Sequence, residues 1–258
     1  MTLPNSETPP PVQPGEGRVP VFLRTKAKKP LVTYIILGVT ILMFALQYLS
    51  QTFLSGMDLP FVLGGKINEM ILRGQIWRLL TPMLLHGGLL HLAFNMYALF
   101  VIGRGLEHFY GHWRYLVLYL IAGYTGNVLS FLFSANPSLG ASTAIFGLAA
   151  AQGVLILKNR KLFGNKSQSM LINLGLVLAI NLSLGFSANS GIDYWGHIGG
   201  LVGGAIFAWV AGPKFMVKAN NENGIELVDM IGRDELRWAV MLSAGLFTAG
   251  VIGKFIAA

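Results

Sequence analysis

The sequence predicts an all-α fold, a polytopic membrane helix bundle, on three observations. The 258-residue chain is 53% hydrophobic and only 12% charged, with mean hydropathy +0.59, too few charges to cover a soluble domain of that length. Seven apolar segments approach the roughly 20 residues that cross a bilayer. Most lysines and arginines lie in short stretches between those segments, where they set topology. The net charge of +8 is therefore spread out and does not point to nucleic acid. No cysteine is present, which excludes disulfides, thiol nucleophiles and thiolate metal sites.

The elements follow in chain order. Residues 1–30 are rich in proline and polar side chains and lack an apolar h-region. They read as a disordered cytoplasmic tail, not as a signal peptide. Spans are predicted near 31–49, 82–102, 114–133, 140–157, 170–187, 195–212 and 237–256. The first six form a core over 31–212, followed by a cytoplasmic loop (213–236) and a seventh transmembrane helix (237–258).

The external segment 50–81 is apolar but interrupted by Pro60, Gly64, Gly65 and Gly74. It is too broken to span and reads as an interfacial structure, with Trp77 and Arg78 as anchors. The cluster Arg24, Lys26, Lys28 and Lys29 precedes the first span and predicts a cytoplasmic N-terminus. Later loops agree, leaving only Lys66, Arg73, Arg78 and Lys254 of the 19 cations outside. The topology is N-in and C-out.

That topology makes spans two, four and six run from outside to inside. Ser142 lies near the start of span four and His197 near the start of span six, at similar predicted depth. His91 and Asn95 are placed about three turns into span two and share a helical face. Polar side chains avoid lipid and turn to the bundle interior. Three helices thus supply a nucleophile, a base and two donors for an anion. Small residues make close approach feasible: Gly196, Gly200 and Gly204 with Ala208, and Gly199 with Gly203, form ridges on span six. Gly140, Ala144, Gly147 and Ala151 form another on span four.

At these residues the sequence resembles the rhomboid family of intramembrane serine proteases. Its G-x-S-x motif appears as Gly140-Ala141-Ser142-Thr143, and its histidine with glycines every fourth residue as His197, Gly200 and Gly204. The His-x4-His-x3-Asn signature is matched by His86, His91 and Asn95. The Trp-Arg pair appears as Trp77-Arg78, and the glycine/glutamate motif as Gly103, Glu107 and Gly111. The resemblance implies a six-helix core with an added seventh helix. It also implies a Ser-His dyad that cuts transmembrane segments of membrane protein substrates near the outer face. Ser142 would be the nucleophile and His197 the general base. Asn95, His91 and the Ser142 N–H would stabilise the oxyanion, with no metal and no cofactor.

His86 and Phe146 are supporting positions. His86 is placed at the exposed outer end of span two, and Phe146 one turn after Ser142, against the His197 ring. Asp193 is read as an N-terminal cap of span six, not as a triad member. Thr143 stands where the family usually has glycine, and is expected to narrow the substrate site or limit backbone adjustment. The segment "GFSANSGIDYW" before span six reads as a mobile cap over the site. The alternative function is a catalytically weak relative that binds membrane clients without cleaving them. A transporter or channel is the other rival, and the lack of charge at mid-depth in the spans counts against it. Partners are transmembrane protein substrates and the lipid bilayer, in a bacterial inner membrane.

Overall fold

The computed structural model describes residues 29–185, 192–220 and 224–257. Most of the N-terminal tail, its basic cluster up to Lys28, and the middle of the expected cap, including Phe186, lie outside the described residues. Among the described residues, seven long helices overlap the segments expected to span: α1 (Leu31–Phe53), α4 (Leu89–Tyr110), α5 (His112–Phe133), α6 (Ser142–Lys158), α8 (Lys166–Gly185), α9 (Tyr194–Ala211) and α10 (Arg233–Ala257). Short helices α2 (Leu59–Gly64), α3 (Asn68–Leu72) and α7 (Arg160–Phe163) fill connections. The fold is an all-α membrane helix bundle. Among the described residues, α1, α4, α5 and α10 are long and apolar enough to cross a membrane by length and composition. The apolar helix α6 is shorter, at 17 residues.

Two expectations are corrected. The second span begins at Leu89, not near residue 82, because Thr81–Leu84 is a 3₁₀ turn containing Pro82 and Gly87-Gly88 follows it. The segment 213–236 is more than a loop. Phe215–Asn220 (β1) and Gly224–Asp229 (β2) pair antiparallel, Phe215 opposite Asp229 and Asn220 opposite Gly224. The Arg114–Asp229 pair at 2.7 Å ties this hairpin to α5.

Helix α9 sits between α5 and α6, and its two glycine ridges serve different neighbours. A Cβ on Gly199 would meet Leu129 Cβ at 2.6 Å and the Gly126 Cα at 2.9 Å, while Gly203 faces Thr125, all on α5. Gly200 faces the Thr143 carbonyl and Gly204 faces Gly147, both on α6. Backbones in near contact leave no room for side chains, which is how small-residue ridges hold membrane helices. Helix α10 packs on α5 and α9. The main core cluster runs through Leu99, Tyr115, Leu118, Ala144, Leu148 and Phe207.

Residues 54–88, which join α1 to α4, are built from short helices and turns. Arg78 is buried there, donating from Nη1 to the Gly65 carbonyl at 2.7 Å and from Nη2 to that of Val62 at 2.6 Å. At the other end of the bundle, Glu107 is buried and accepts from Thr33 N, Val32 N and Thr33 Oγ1. A carboxylate on the exposed N–H groups that start α1 satisfies them and complements the helix dipole.

Candidate active site

Helices α4, α6 and α9 begin at the same end of the bundle, and each contributes a polar side chain close to its start. Ser142 is the first residue of α6. Its Oγ lies 2.9 Å from His197 Nε2, in the first turn of α9. The glycine contacts between α6 and α9 give this distance its cause, since any Cβ on Gly200 would push against the Thr143 carbonyl. His197 is buried, and Phe146 stacks on it with ring centroids 4.1 Å apart and planes 12° apart.

Asp193 caps α9: its Oδ1 accepts from Gly196 N at 2.9 Å. His197 Nδ1 has no hydrogen-bond partner among the described residues. The arrangement is therefore a hydroxyl–imidazole pair supported by an aromatic face, without a carboxylate bonded to the ring.

Gly140 shows why the motif opens with glycine. Its φ is +133°, and a Cβ there would lie 2.9 Å from His91 Cε1, 3.0 Å from His91 Nε2 and 3.6 Å from Ser142 Oγ. The His91 imidazole and the Ser142 hydroxyl thus flank one backbone position. Asn95 is buried and donates from Nδ2 to the His91 carbonyl at 2.9 Å, which leaves its second N–H. Because α4 starts at Leu89, His91 lies in the first turn and Asn95 in the second, nearer the helix end than the sequence suggested.

His86 departs from expectation. It precedes α4 and is buried, with 2% of its surface exposed. Its Nε2 accepts from Ala141 N at 3.5 Å, and its ring centroid is 5.1 Å from that of His91. Burial, with the neighbouring His91 adding to it, lowers the His86 pKa to about 3, so the ring is neutral and can act as an acceptor. Gln47 of α1 fixes the His86 backbone, its Oε1 accepting from His86 N at 2.9 Å and its Nε2 donating to His86 O at 3.2 Å. Residue spacing gave no role to Gln47, whose signal was a buried-type amide near the end of an apolar span.

Thr143 follows Ser142 on α6. It is buried between helices: a Cβ on Gly126 of α5 would fall 2.6 Å from its Cβ, and one on Gly196 of α9 would fall 2.9 Å from its Cγ2. Two glycines make the space that this larger residue occupies. Among the described residues no three His, Asp or Glu side chains are grouped to hold a metal.

Comparison with known proteins agrees with this architecture. The sequence model of the Rhomboid domain family matches residues 73–214. The chain is 44% identical over 187 residues to Rhomboid protease GluP of Bacillus subtilis (strain 168), a match covering 72% of this chain and 36% of that protein. It is 38% identical over 157 residues to RHOMBOID-like protein 4 of Arabidopsis thaliana, covering 60% of this chain and 39% of the relative. RHOMBOID-like protein 9, chloroplastic, from the same plant is 29% identical over 179 residues, covering 69% and 41%. The chain thus spans less than half the length of each of these relatives.

Proposed function

This chain belongs to the rhomboid family, and from that premise we propose that it is an intramembrane serine endopeptidase acting on transmembrane protein substrates. The observation that carries the proposal is the 2.9 Å hydrogen bond between Ser142 Oγ and His197 Nε2, made across two helices that touch through glycine.

In this reading His197 Nε2 removes the Ser142 proton as Oγ attacks the scissile carbonyl. Phe146 keeps the imidazole facing the hydroxyl, a task that a carboxylate performs in triads. The oxyanion forms beside Gly140, where the Ser142 N–H, His91 and the free N–H of Asn95 are the donors. Each such donor contributes about 2.7–4 kcal/mol when aimed at the developing charge. Three helix N-termini around one point add positive potential of the same sense. His197 then returns its proton to the leaving amine, and water hydrolyses the Ser142 ester by the same route. Every proton is moved by this chain's own side chains.

The substrate segment must leave its helix near the scissile bond, because a helical backbone hides the carbonyl. We place the N-terminus in the cytoplasm and the site near the outer face of a bacterial cell membrane. Cation usage favours that orientation. Of the four Lys and Arg assigned outside, Lys66, Arg78 and Lys254 donate to backbone carbonyls, and Arg73 pairs with Glu69. We assign residues 31–212 as the catalytic core, with the hairpin segment and α10 appended to it.

The test is cleavage of a labelled single-span protein in liposomes by wild type, Ser142→Ala and His197→Ala. Cleavage by wild type alone supports the reading. Substrate that co-purifies with all three proteins and stays intact would favour client binding without cleavage.

A further inference from the structure

The loop 134–141 leads from α5 into Ser142, and one residue of the external segment holds most of it. Lys66 N donates to Ser138 O and Ser138 N donates to Lys66 O, both at 3.0 Å. Its ammonium donates to Ser134 O and to Asn136 O, each at 2.8 Å. Lys66 is fully buried. Asn68 adds a bond from Nδ2 to Ser134 O at 2.8 Å, and Gly140 N donates to Pro82 O at 2.9 Å. The ammonium also lies beyond the C-terminus of α5, where carbonyls lack helical partners and the dipole is negative. A buried charge is costly unless its hydrogen bonds are made, so the site is built around the cation. The chain pinned in this way leads through Gly140, where a Cβ would meet the His91 ring, to Ser142.

We propose that Lys66 is a positioning residue for the candidate nucleophile: its ammonium holds loop 134–141 in the shape that presents the Ser142 hydroxyl to His197 and the Ser142 N–H to the substrate carbonyl. This rests on the protease reading above. The ionisable groups facing Lys66 are Asp193 at the start of α9, which favours the ammonium, and Lys254 of α10, which opposes it. Asn68 of α3 and the carbonyls of α5 are neutral. Burial outweighs Asp193 and brings the Lys66 pKa down to about 8. Loss of that proton weakens both side-chain bonds to the loop, giving turnover an alkaline limb near pH 8.

The experiment compares wild type, Lys66→Met and Lys66→Arg in liposomes, by hydrogen exchange at pH 7 and by cleavage of a single-span substrate from pH 6 to 10. The Ser138 and Gly140 amides should exchange about tenfold faster in Lys66→Met than in wild type, with α5 amides unchanged. Its kcat should fall about tenfold or more with KM nearly constant, as expected when a nucleophile is misplaced. The alkaline limb should vanish in Lys66→Met and move to higher pH in Lys66→Arg. Wild-type exchange at Ser138 and Gly140 in Lys66→Met would overturn the proposal, as would an unchanged alkaline limb in both variants. Should Lys66→Met fail to fold, the Lys66→Arg limb decides alone. Faster loop exchange in a chain whose wild type cuts nothing would leave the clasp standing and remove the protease reading.

Discussion

Phe146 and His197 stack face to face, with centroids 4.1 Å apart and planes 12° apart. Phe146 stands one turn beyond Ser142 on α6, so one helix carries both the hydroxyl and the ring that stacks on the proposed base. Aromatic pairs of this kind contribute about 0.5–1.5 kcal/mol beyond area burial. Phe146→Ala should therefore slow cleavage by about 2- to 10-fold. Phe146→Tyr should retain most of the rate. Single-turnover cleavage in liposomes measures both, and an unaffected rate in Phe146→Ala would remove the stacking role.

Thr143 fills space left by Gly126 and Gly196. Thr143→Gly restores the usual family residue, yet here it should lower stability by about 1–3 kcal/mol by opening a void where three helices meet. Gly126→Ala should do comparable damage by overpacking. Denaturant unfolding in mixed micelles measures both. A stabilised Thr143→Gly would show that the fit of threonine to the two glycines has no energetic weight.

Gly140→Ala should cost activity more than stability. The substitution forces a Cβ at φ +133° and against the His91 ring, which would displace the imidazole from the proposed oxyanion position. A displacement near 1 Å lowers turnover by about 10²-fold. Circular dichroism should show unchanged helix content.

His86 makes stability depend on acid. Its folded pKa is about 3 against 6.5 for a free imidazole, so between those values the unfolded chain binds more protons than the folded one. Its contribution is fully present above pH 6.5 and is lost as the pH falls toward 3. His86→Gln should flatten the pH dependence of the melting temperature over that window. Parallel curves for variant and wild type would contradict this.

Much of the site was legible in residue spacing. The ridge Gly196, Gly200 and Gly204 marks the α6 contact because period four is one helix face, and Asp193 three residues before Gly196 marks a cap. What spacing could not carry was tertiary. Pro82 and Gly87-Gly88 delay the start of α4, which moves His91 toward the helix end and buries His86 outside it. Nothing local separates Lys66 from an ordinary loop lysine, since its partners at Ser134 and Asn136 are about seventy residues away. Phe215–Asn220 and Gly224–Asp229 are strand-length runs, but the helical pattern on either side of them is the stronger signal.

The most direct test of the Ser142–His197 pair is labelling of the full chain in liposomes by a serine-reactive fluorophosphonate, mapped by peptide mass spectrometry. The expected result is a single adduct on Ser142, lost in Ser142→Ala and greatly slowed in His197→Ala. An adduct that persists in Ser142→Ala, or a labelling rate in His197→Ala equal to wild type, would contradict it.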